Sequence, residues 1–370
     1  MRWSWKLFRV FGIDVHMHAT FLLLLLYVAL GKKSAGDAAR AVLYILALFG
    51  CVLLHELGHA LAARRFGVGT RDITLLPIGG VARLERIPTE PREEFVVAIA
   101  GPLVNVVIAG LLFAGGALFG WGSAAAVIEG ESKLLSGSFL EQLAVTNAFL
   151  ALFNCVPAFP MDGGRILRAI LASRMDYLRA TRTAVAVGQV LAFGMGLVGL
   201  LGGNIPLALV ALFVFLGAAH EGAAVQLRHD FRGLPVSVAM LREFHTLKED
   251  DRLETAVEQL LAGSQADFPV LRAGESGDAV VGILTRSALI EGLGAKGPLA
   301  TIRSVTVRPV RALSADLPLD RAYELIQEEE VKCLPVLEEG RLVGLLTLEN
   351  LVEFSMVTSA MRGLREKRGG

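Results

Sequence analysis

An almost wholly apolar run from Ala41 to Leu54 leads directly into the segment His55-Glu56-Leu57-Gly58-His59. Such a run predicts a membrane-spanning helix. On a helix, residues four apart lie on one face, one turn from each other, so the two imidazoles converge. Two such nitrogens can hold a zinc ion, with Glu56 beside the metal as a general base for its water. The segment therefore predicts a metal site inside a membrane helix.

Composition indicates a membrane domain followed by a soluble region. Of the 370 residues, 54% are hydrophobic and 19% are charged, with 36 basic against 36 acidic residues. The apolar excess is concentrated before about residue 225, above the norm for soluble chains. The zero net charge argues against nucleic acid as a partner. The three cysteines, Cys51, Cys155 and Cys333, form no disulfide framework, which suits a reducing cytosol or a membrane interior.

Six apolar stretches are interpreted as transmembrane helices. They cover residues 19–30, 41–63, 95–119, 138–156, 183–201 and 205–219. The first is short, so a cleaved signal peptide is the alternative there. Residues 71–85 contain two strand-like runs that flank Pro77-Ile78-Gly79-Gly80, which predicts a hairpin with a glycine turn. Residues 13–17 alternate as a short strand does.

The distribution of basic residues predicts the orientation. Lysine and arginine are most frequent before the first span, after the second and after the fourth. The positive-inside rule then places both termini in the cytosol, in a multi-pass protein of the cell membrane. The first external loop, with Lys32, Lys33 and Arg40, is the exception. The two histidines come to lie toward the cytosolic end of the second span.

A second polar cluster follows the fourth span, where Pro157 and Pro160 break the helix. Asp162 lies just past this break, at a depth similar to that of the histidines. A carboxylate there can complete three protein ligands and leave the fourth position to water, as catalytic zinc requires. Asn154 carries an amide that can donate to a developing oxyanion. The alternative is structural, with Asp162 capping the next helix and Asn154 bonding the backbone at the kink.

Several other residues are of a type that could bind the metal, and we assign them to packing, to interfacial hydrogen bonds or to a helix end. They are Cys51, Cys155, His16, His18 and the pair His220-Glu221.

These motifs resemble those of the site-2 protease family of intramembrane zinc metalloproteases. The resemblance rests on H-E-L-G-H in the second span and on N-x-x-P-x-x-P-x-D-G-G at the end of the fourth. Residues 101–105 also match the G-x-x-x-N element of the family's third helix. The resemblance covers about residues 10–220.

The resemblance implies a zinc protease whose substrate is a transmembrane segment of another protein. It implies His55, His59 and Asp162 as zinc ligands. It implies Glu56 as the general base and Asn154 as a residue that assists the transition state. It also implies that the predicted hairpin is a re-entrant sheet, which pairs with an unwound strand of the substrate.

From about Leu234 the composition becomes soluble and an internal repeat appears. Residues 267–271 and 281–285 recur as 333–337 and 343–347, each time after a helical segment. The pattern resembles a tandem pair of CBS domains. Such pairs bind adenine nucleotides and regulate a neighbouring domain, or serve as a dimerisation platform.

The residues of the repeat predict poor nucleotide binding. In CBS pairs, a carboxylate three residues after a threonine commonly holds the ribose hydroxyls. Here Thr285 is followed by Ala288 and Thr347 by Asn350. Only the second pair offers an acceptor, a neutral amide oxygen instead of a carboxylate. We therefore expect at most one weak site, at Thr347 and Asn350.

The predicted fold is a polytopic α-helical membrane protein of about six transmembrane helices with a small re-entrant β-sheet, followed by a soluble α/β CBS pair. The expected domains are residues 1–225, 234–295 and 302–360. The expected activity is intramembrane proteolysis with zinc as cofactor. The lipid bilayer and a second copy, through the CBS pair, are the further partners. A CBS-regulated channel or transporter and a catalytically inactive scaffold are the alternatives.

Overall fold

A computed structural model describes residues 3–77, 79–85, 90–119, 138–274, 279–329 and 331–369. The chain divides into two compact units, Met1–Ala223 and Ala224–Gly370. The first unit holds a small sheet and a set of helices, and the second holds two α/β repeats.

The helices of the first unit carry most of the apolar sequence. They are α1 (Ala19–Leu30), α2 (Ala35–Arg64), α3 (Pro91–Phe119), α4 (Phe139–Asn154), α5 (Asp162–Ala172), α6 (Tyr177–Leu201) and α7 (Ile205–Phe231), the last of which ends in the second unit. Large apolar side chains such as Leu111 and Phe193 stay about 70% exposed on them. Outward-facing apolar surface of this kind is what a lipid environment covers.

Four of the described helices, α2, α3, α6 and α7, are long and apolar enough to cross a membrane. The predicted first and fourth spans correspond to α1, with 12 residues, and α4, with 16. Both are shorter than the roughly 20 residues that a bilayer requires. The chain is thus polytopic, and the count of six spans is not confirmed by helix length.

Several helix boundaries differ from the sequence prediction, and α2 already begins at Ala35. The helix of the predicted fifth span begins at Tyr177, and that of the sixth continues to Phe231. The prediction that His220-Glu221 ends the sixth span is therefore wrong. Glu221 instead forms an ion pair inside the unit, which lets the helix continue through two polar residues.

The sheet of the first unit has four strands in the order β1-β2-β3-β4. The strands are β1 (Ser4–Val10), β2 (Ile13–His18), β3 (Thr70–Leu76) and β4 (Gly79–Leu84). The β2–β3 pair is parallel and the other two pairs are antiparallel. The predicted strand at residues 13–17 and the hairpin at 71–85 are both confirmed, whereas β1 was not predicted. The strand β4 forms one edge of the sheet.

Each repeat of the second unit folds into a three-stranded sheet with two helices. The first contains β5 (Leu247–Lys248), α8 (Leu253–Ala262), β6 (Phe268–Arg272), β7 (Ala279–Leu284) and α9 (Arg286–Lys296). The second contains β8 (Leu313–Ser314), α10 (Leu319–Glu328), β9 (Cys333–Glu338), β10 (Arg341–Thr347) and α11 (Leu348–Gly369). In both, a short parallel strand is added to an antiparallel hairpin.

The two repeats share an apolar cluster that contains Ile283, Cys333 and Leu345. Leu241, near the start of the first repeat, forms a bridge with Leu345 of the second. Burial raises the pKa of the Cys333 thiol to about 12, so this cysteine stays protonated at neutral pH. Cys333 is therefore a packing residue.

Candidate metal centre

Two helices bring three ligand atoms together in the interior of the first unit. His55 and His59 lie one turn apart on α2, and Asp162 is the first residue of α5. The two Nε2 atoms are 3.1 Å apart. Asp162 Oδ2 lies 3.2 Å from His55 Nε2 and 3.1 Å from His59 Nε2. Within the described ranges, these residues form the only group of histidine, cysteine or acidic side chains arranged to hold a metal.

The triangle has the dimensions that a zinc ion requires. Tetrahedral zinc with ligand bonds of about 2.0–2.1 Å separates its ligand atoms by roughly 3.3 Å. All three residues are less than 9% exposed, so the donors are already withdrawn from water. Two imidazoles and one carboxylate leave a fourth position open, as in catalytic zinc sites. The donor set therefore fits zinc.

The backbone of α3 orients one of the two imidazoles. His59 Nδ1 lies 2.7 Å from the Val97 carbonyl oxygen, which can only accept, so Nδ1 donates. Its Nε2 then presents a lone pair to the centre of the triangle. One turn further along α3, Gly101 faces both histidines, and a Cβ at this position would overlap both Nε2 atoms. The glycine keeps α3 close to α2 without filling the metal position.

Glu56 lies beside the triangle and contacts the edge of the sheet. Its Oε2 accepts a hydrogen bond of 3.2 Å from the backbone N–H of Ala82 on β4. A Cβ at Gly80 would lie 2.6 Å from Glu56 Cγ, so this strand passes directly over the carboxylate. The amide of Ala82 therefore points away from β3 and toward the metal centre.

A cavity of about 390 Å³ joins these groups. Its walls come from α2, α3, α4, α5, α7 and β4, and include Glu56, Asn105, Asn154, Asp162 and Arg165. Asn154, the last residue of α4, is thus in the same cavity as the metal ligands. The size is sufficient for a few residues of an extended chain.

The turn between α4 and α5 places Asp162. A Cβ at Gly163 would overlap the carbonyl oxygen of Val156, and one at Gly164 would lie 2.7 Å from the amide nitrogen of Phe159. Both glycines after Asp162 are therefore required by close backbone approach. The sequence shows that two glycines follow Asp162, but the backbone groups that they contact are apparent only in the fold.

The other residues of ligand type lie outside the triangle. Cys51 is buried and Cys155 is exposed at the end of α4. His18 caps α1 through a contact with Thr20, and His16 lies in β2. The position of Cys51 agrees with packing and that of His18 with hydrogen bonding, whereas the assignment of Cys155 to buried packing is wrong because this side chain is exposed.

A buried ion cluster near the metal centre was not predicted. Arg168 on α5 has no exposed side-chain surface. Its Nε donates to Glu94 Oε1 at 2.7 Å, and its Nη1 donates to Glu221 Oε1 at 2.6 Å. The sequence signal for this cluster was the presence of charged residues within largely apolar segments. It could not show which of them pair, because Arg168 is 74 residues from Glu94 and 53 residues from Glu221.

The two threonines of the repeats cap helices. Thr285 Oγ1 accepts from the N–H of Ala288, and Thr347 Oγ1 accepts from the N–H of Asn350 at 3.1 Å. The Thr347 hydroxyl also donates to Asn350 Oδ1. The two residues predicted to hold a nucleotide are therefore in contact with each other.

Comparison with known proteins identifies the family. Residues 43–137 and 125–195 match the model of Peptidase family M50, and residues 236–295 and 302–357 match the CBS domain. The chain belongs to Peptidase family M50 and is a multi-pass membrane zinc metalloprotease of the site-2 protease type with a CBS pair. It is 32% identical over 366 residues to zinc metalloprotease MJ0392 of Methanocaldococcus jannaschii, covering 99% of this chain and 100% of that protein.

Two further relatives match a part of the chain. Stage IV sporulation protein FB of Bacillus subtilis is 30% identical over 178 residues, covering 47% of this chain and 56% of that protein. The solved structure of the site-2 protease from Methanocaldococcus jannaschii is 39% identical, with a TM-score of 0.43, covering 60% of this chain and 95% of that one. The family assignment takes the place of the alternatives of a channel, a transporter or an inactive scaffold.

Proposed function

We propose that this protease hydrolyses peptide bonds in or near transmembrane segments of other membrane proteins. The observation that carries the proposal is a buried His-His-Asp triangle whose two histidines lie on a helix long enough to cross a membrane. A protease that acted only on soluble chains would have no need to bury its ligands among lipid-facing helices. We assign this activity to residues 1–225.

His55, His59 and Asp162 would hold the metal. When bound, zinc supplies a Lewis acid that polarises the scissile carbonyl and acidifies the attacking water. Val97 fixes the tautomer of His59 through the hydrogen bond to Nδ1. The triangle is buried, so electrostatic interactions between these groups and a bound substrate are stronger than they would be in water.

Glu56 is proposed as the general base. Its carboxylate lines the cavity and would take a proton from the attacking water, then transfer it to the leaving amine. Asn154 is proposed to donate its amide N–H to the negative charge that develops on the carbonyl oxygen. The two side chains line the same cavity from different helices, Glu56 from α2 and Asn154 from α4.

The substrate is proposed to bind as a strand at the edge of β4. A transmembrane helix hides its carbonyls in internal hydrogen bonds, so it must unwind before hydrolysis. An edge strand offers unpaired backbone groups to such a segment. The Ala82 N–H faces the cavity from this edge and donates to Glu56 Oε2, so an incoming strand would take this donor over from the carboxylate.

The CBS pair, residues 234–295 and 302–360, is proposed to regulate the protease or to dimerise it. Regulation would use an adenine nucleotide held at Thr347 and Asn350. Dimerisation would use a second copy of the chain. We also propose that the pair lies in the cytosol, with the N-terminus on the same side of the cell membrane, because the distribution of basic residues favours this orientation.

The experiment is cleavage of a pooled reporter. The wild-type chain and Glu56→Gln are reconstituted with zinc in vesicles that contain a pool of synthetic transmembrane segments, and products are identified by mass spectrometry. Wild type should cleave at least one segment. Glu56→Gln should retain about one zinc per chain and lose cleavage, because it removes the base and no ligand. His59→Ala and Asp162→Ala should lose both.

Two results would refute the proposal. One is cleavage of the pool by Glu56→Gln at the wild-type rate. The other is a zinc-loaded wild-type chain that hydrolyses a soluble protein yet leaves every membrane segment intact.

A further inference from the structure

Asn105 is a buried amide in the wall of the metal cavity with an unused hydrogen-bonding atom. It lies on α3, is 1% exposed and lines the same cavity as Glu56 and Asn154. In the part of the chain that the structure describes, its Oδ1 has no hydrogen-bond partner. Leaving a buried polar atom unpaired is unfavourable, so an orphan that faces a cavity points to a ligand that pairs with it.

The position of Asn105 on α3 connects it to the metal ligands. Val97, Gly101 and Asn105 are spaced by four residues and therefore lie on one face of the helix. Val97 accepts the hydrogen bond of His59, and Gly101 faces both histidines. Asn105 is the next residue on this face of α3. Its carboxamide is thus one turn from the point at which α3 meets the zinc ligands.

We propose that Asn105 binds the main chain of the substrate segment inside the cavity. The inference rests on the proposed function and adds a residue to its substrate-binding surface. A carboxamide offers one acceptor and two donors, and an extended peptide offers one N–H and one C=O at each residue. These hydrogen bonds do not depend on the substrate's side chains. They pair main-chain groups that became free when the substrate helix unwound.

The arrangement gives the substrate two polar walls. On one, the edge strand β4 offers strand-type hydrogen bonds, and its Ala82 N–H also donates to Glu56 Oε2. On the other, α3 uses its backbone groups for its own helical hydrogen bonds, apart from the Ala98 carbonyl opposite Pro102, so a side chain must supply the pairing near Asn105. Asn105 supplies it from a helix that is otherwise apolar next to the cavity.

Asn147 is a matched control. It is a second carboxamide, on α4, with no exposed surface and with an Oδ1 that has no partner among the described residues. Its Nδ2 donates to the Leu143 carbonyl at 2.8 Å. Asn147 does not line the cavity of the metal centre. A general effect of removing a buried amide should appear in both residues, whereas an effect on substrate should appear only at Asn105.

The experiment compares Asn105→Leu and Asn147→Leu in the full-length chain, reconstituted in vesicles. The probe is the segment of the synthetic pool that the wild-type chain cleaves fastest. Leucine nearly preserves volume and removes the polar atoms. For Asn105→Leu we expect kcat/KM to fall about ten- to a hundredfold, mostly through KM, since a contact made before and during reaction is lost. Its zinc content and thermal unfolding temperature should stay at the wild-type values.

A binding measurement without turnover separates substrate contact from catalysis. In the Glu56→Gln background, Asn105→Leu should weaken binding of the fluorescently labelled segment by the same factor, and Asn147→Leu should leave it unchanged. Asn105→Ala serves as a second variant that cannot overfill the site, should Asn105→Leu fail to fold. It should show the same rise in KM.

Two outcomes at Asn105 would overturn the inference. Unchanged KM and unchanged binding in both Asn105 variants would overturn the inference. Loss of zinc by a folded Asn105 variant would also overturn it, because Asn105 would then support the ligand His55, whose Nδ1 is itself buried without a described partner. A wild-type chain that cleaves no segment would instead refute the proposed function, so the two failures are distinguishable.

Discussion

At the scale of single residues, the metal centre depends on glycine as much as on its ligands. Gly101 lies against the Nε2 atoms of His55 and His59, and Gly163 lies against the backbone before α5. Each position has space for a hydrogen and none for a methyl group. The spacing of the ligands is therefore set by how closely three backbone segments approach.

Replacement of Gly101 by alanine should disrupt the metal centre. The added Cβ would overlap both ligand nitrogens, so the histidines must move and zinc content should fall well below one per chain. Gly110→Ala is the control, because a Cβ at this position of the same helix meets nothing within 4 Å. The zinc content per chain of the two purified variants is the measurement that tests this prediction. Full zinc occupancy in Gly101→Ala would show that α3 can shift to accept the methyl group.

At the scale of elements, the buried ion cluster connects the helix that carries Asp162 to two others. Arg168 lies six residues after Asp162 on α5 and bonds Glu94 at the start of α3 and Glu221 on α7. The helix α5 has only 11 residues and lacks a side-chain cap at its N-terminus. The cluster is therefore a main restraint on its position.

Removing the guanidinium should be strongly destabilising. Arg168→Met leaves two carboxylates in the interior without their cation, so the free energy of unfolding should fall by about 3–5 kcal/mol. Denaturant unfolding in detergent measures this change. Arg179→Met is the control, because Arg179 is 81% exposed in its ion pair with Asp176 and should change stability by about 1 kcal/mol or less.

A triple variant tests whether unpaired charge is the cause. Adding Glu94→Gln and Glu221→Gln to Arg168→Met removes the uncompensated carboxylates and should restore most of the lost stability. If the triple variant is as unstable as the single one, packing of the arginine side chain is the larger effect.

At the scale of the whole molecule, a zinc protease unit and a CBS pair occur in one chain. The two repeats have the same fold but not the same chemistry. Thr285 caps a helix that has Ala288 at its third position, whereas Thr347 caps one that has Asn350 there. The pair is thus asymmetric toward any ligand that requires an acceptor at this position.

Nucleotide titration of the full-length chain should reveal at most one weak site. Calorimetry with ATP, ADP and AMP is the measurement. Asn350→Asp restores a charged acceptor and should strengthen binding by about ten- to a hundredfold, while Ala288→Asn should have a smaller effect. Two tight sites per chain would contradict this prediction. Absence of binding to all three would favour dimerisation as the role of the pair.

The orientation of the chain can be tested by fusion. A reporter after Gly370 should be cytosolic, and a tag between residues 122 and 137, which lie outside the described residues, should be external. Tags are assayed by labelling of intact cells, with lysed cells as the control. Labelling of the C-terminal reporter on intact cells would reverse the orientation, and the metal centre would then open toward the other side.

The local patterns of the sequence determined those features that depend on a few neighbouring residues. His55 and His59 face one way because they are four apart on a helix. The segment at residues 77–80 predicted the hairpin, in which Gly79 and Gly80 are the first residues of β4. The repeats predicted their own strands by similarity to each other. Periodicity predicts such elements because each one is set by backbone geometry over a single turn or a pair of strands.

The tertiary structure decided which of these faces meet. Asp162 reaches His59 across 103 residues, and Glu94 reaches Arg168 across 74. The orphan oxygen of Asn105 and the Ala82 N–H that binds Glu56 are likewise visible only when the elements are packed. A sequence pattern assigns each side chain to a face of its helix or strand. The contacts between distant faces follow from how closely the backbones can approach, and here glycines at the contacts set that approach.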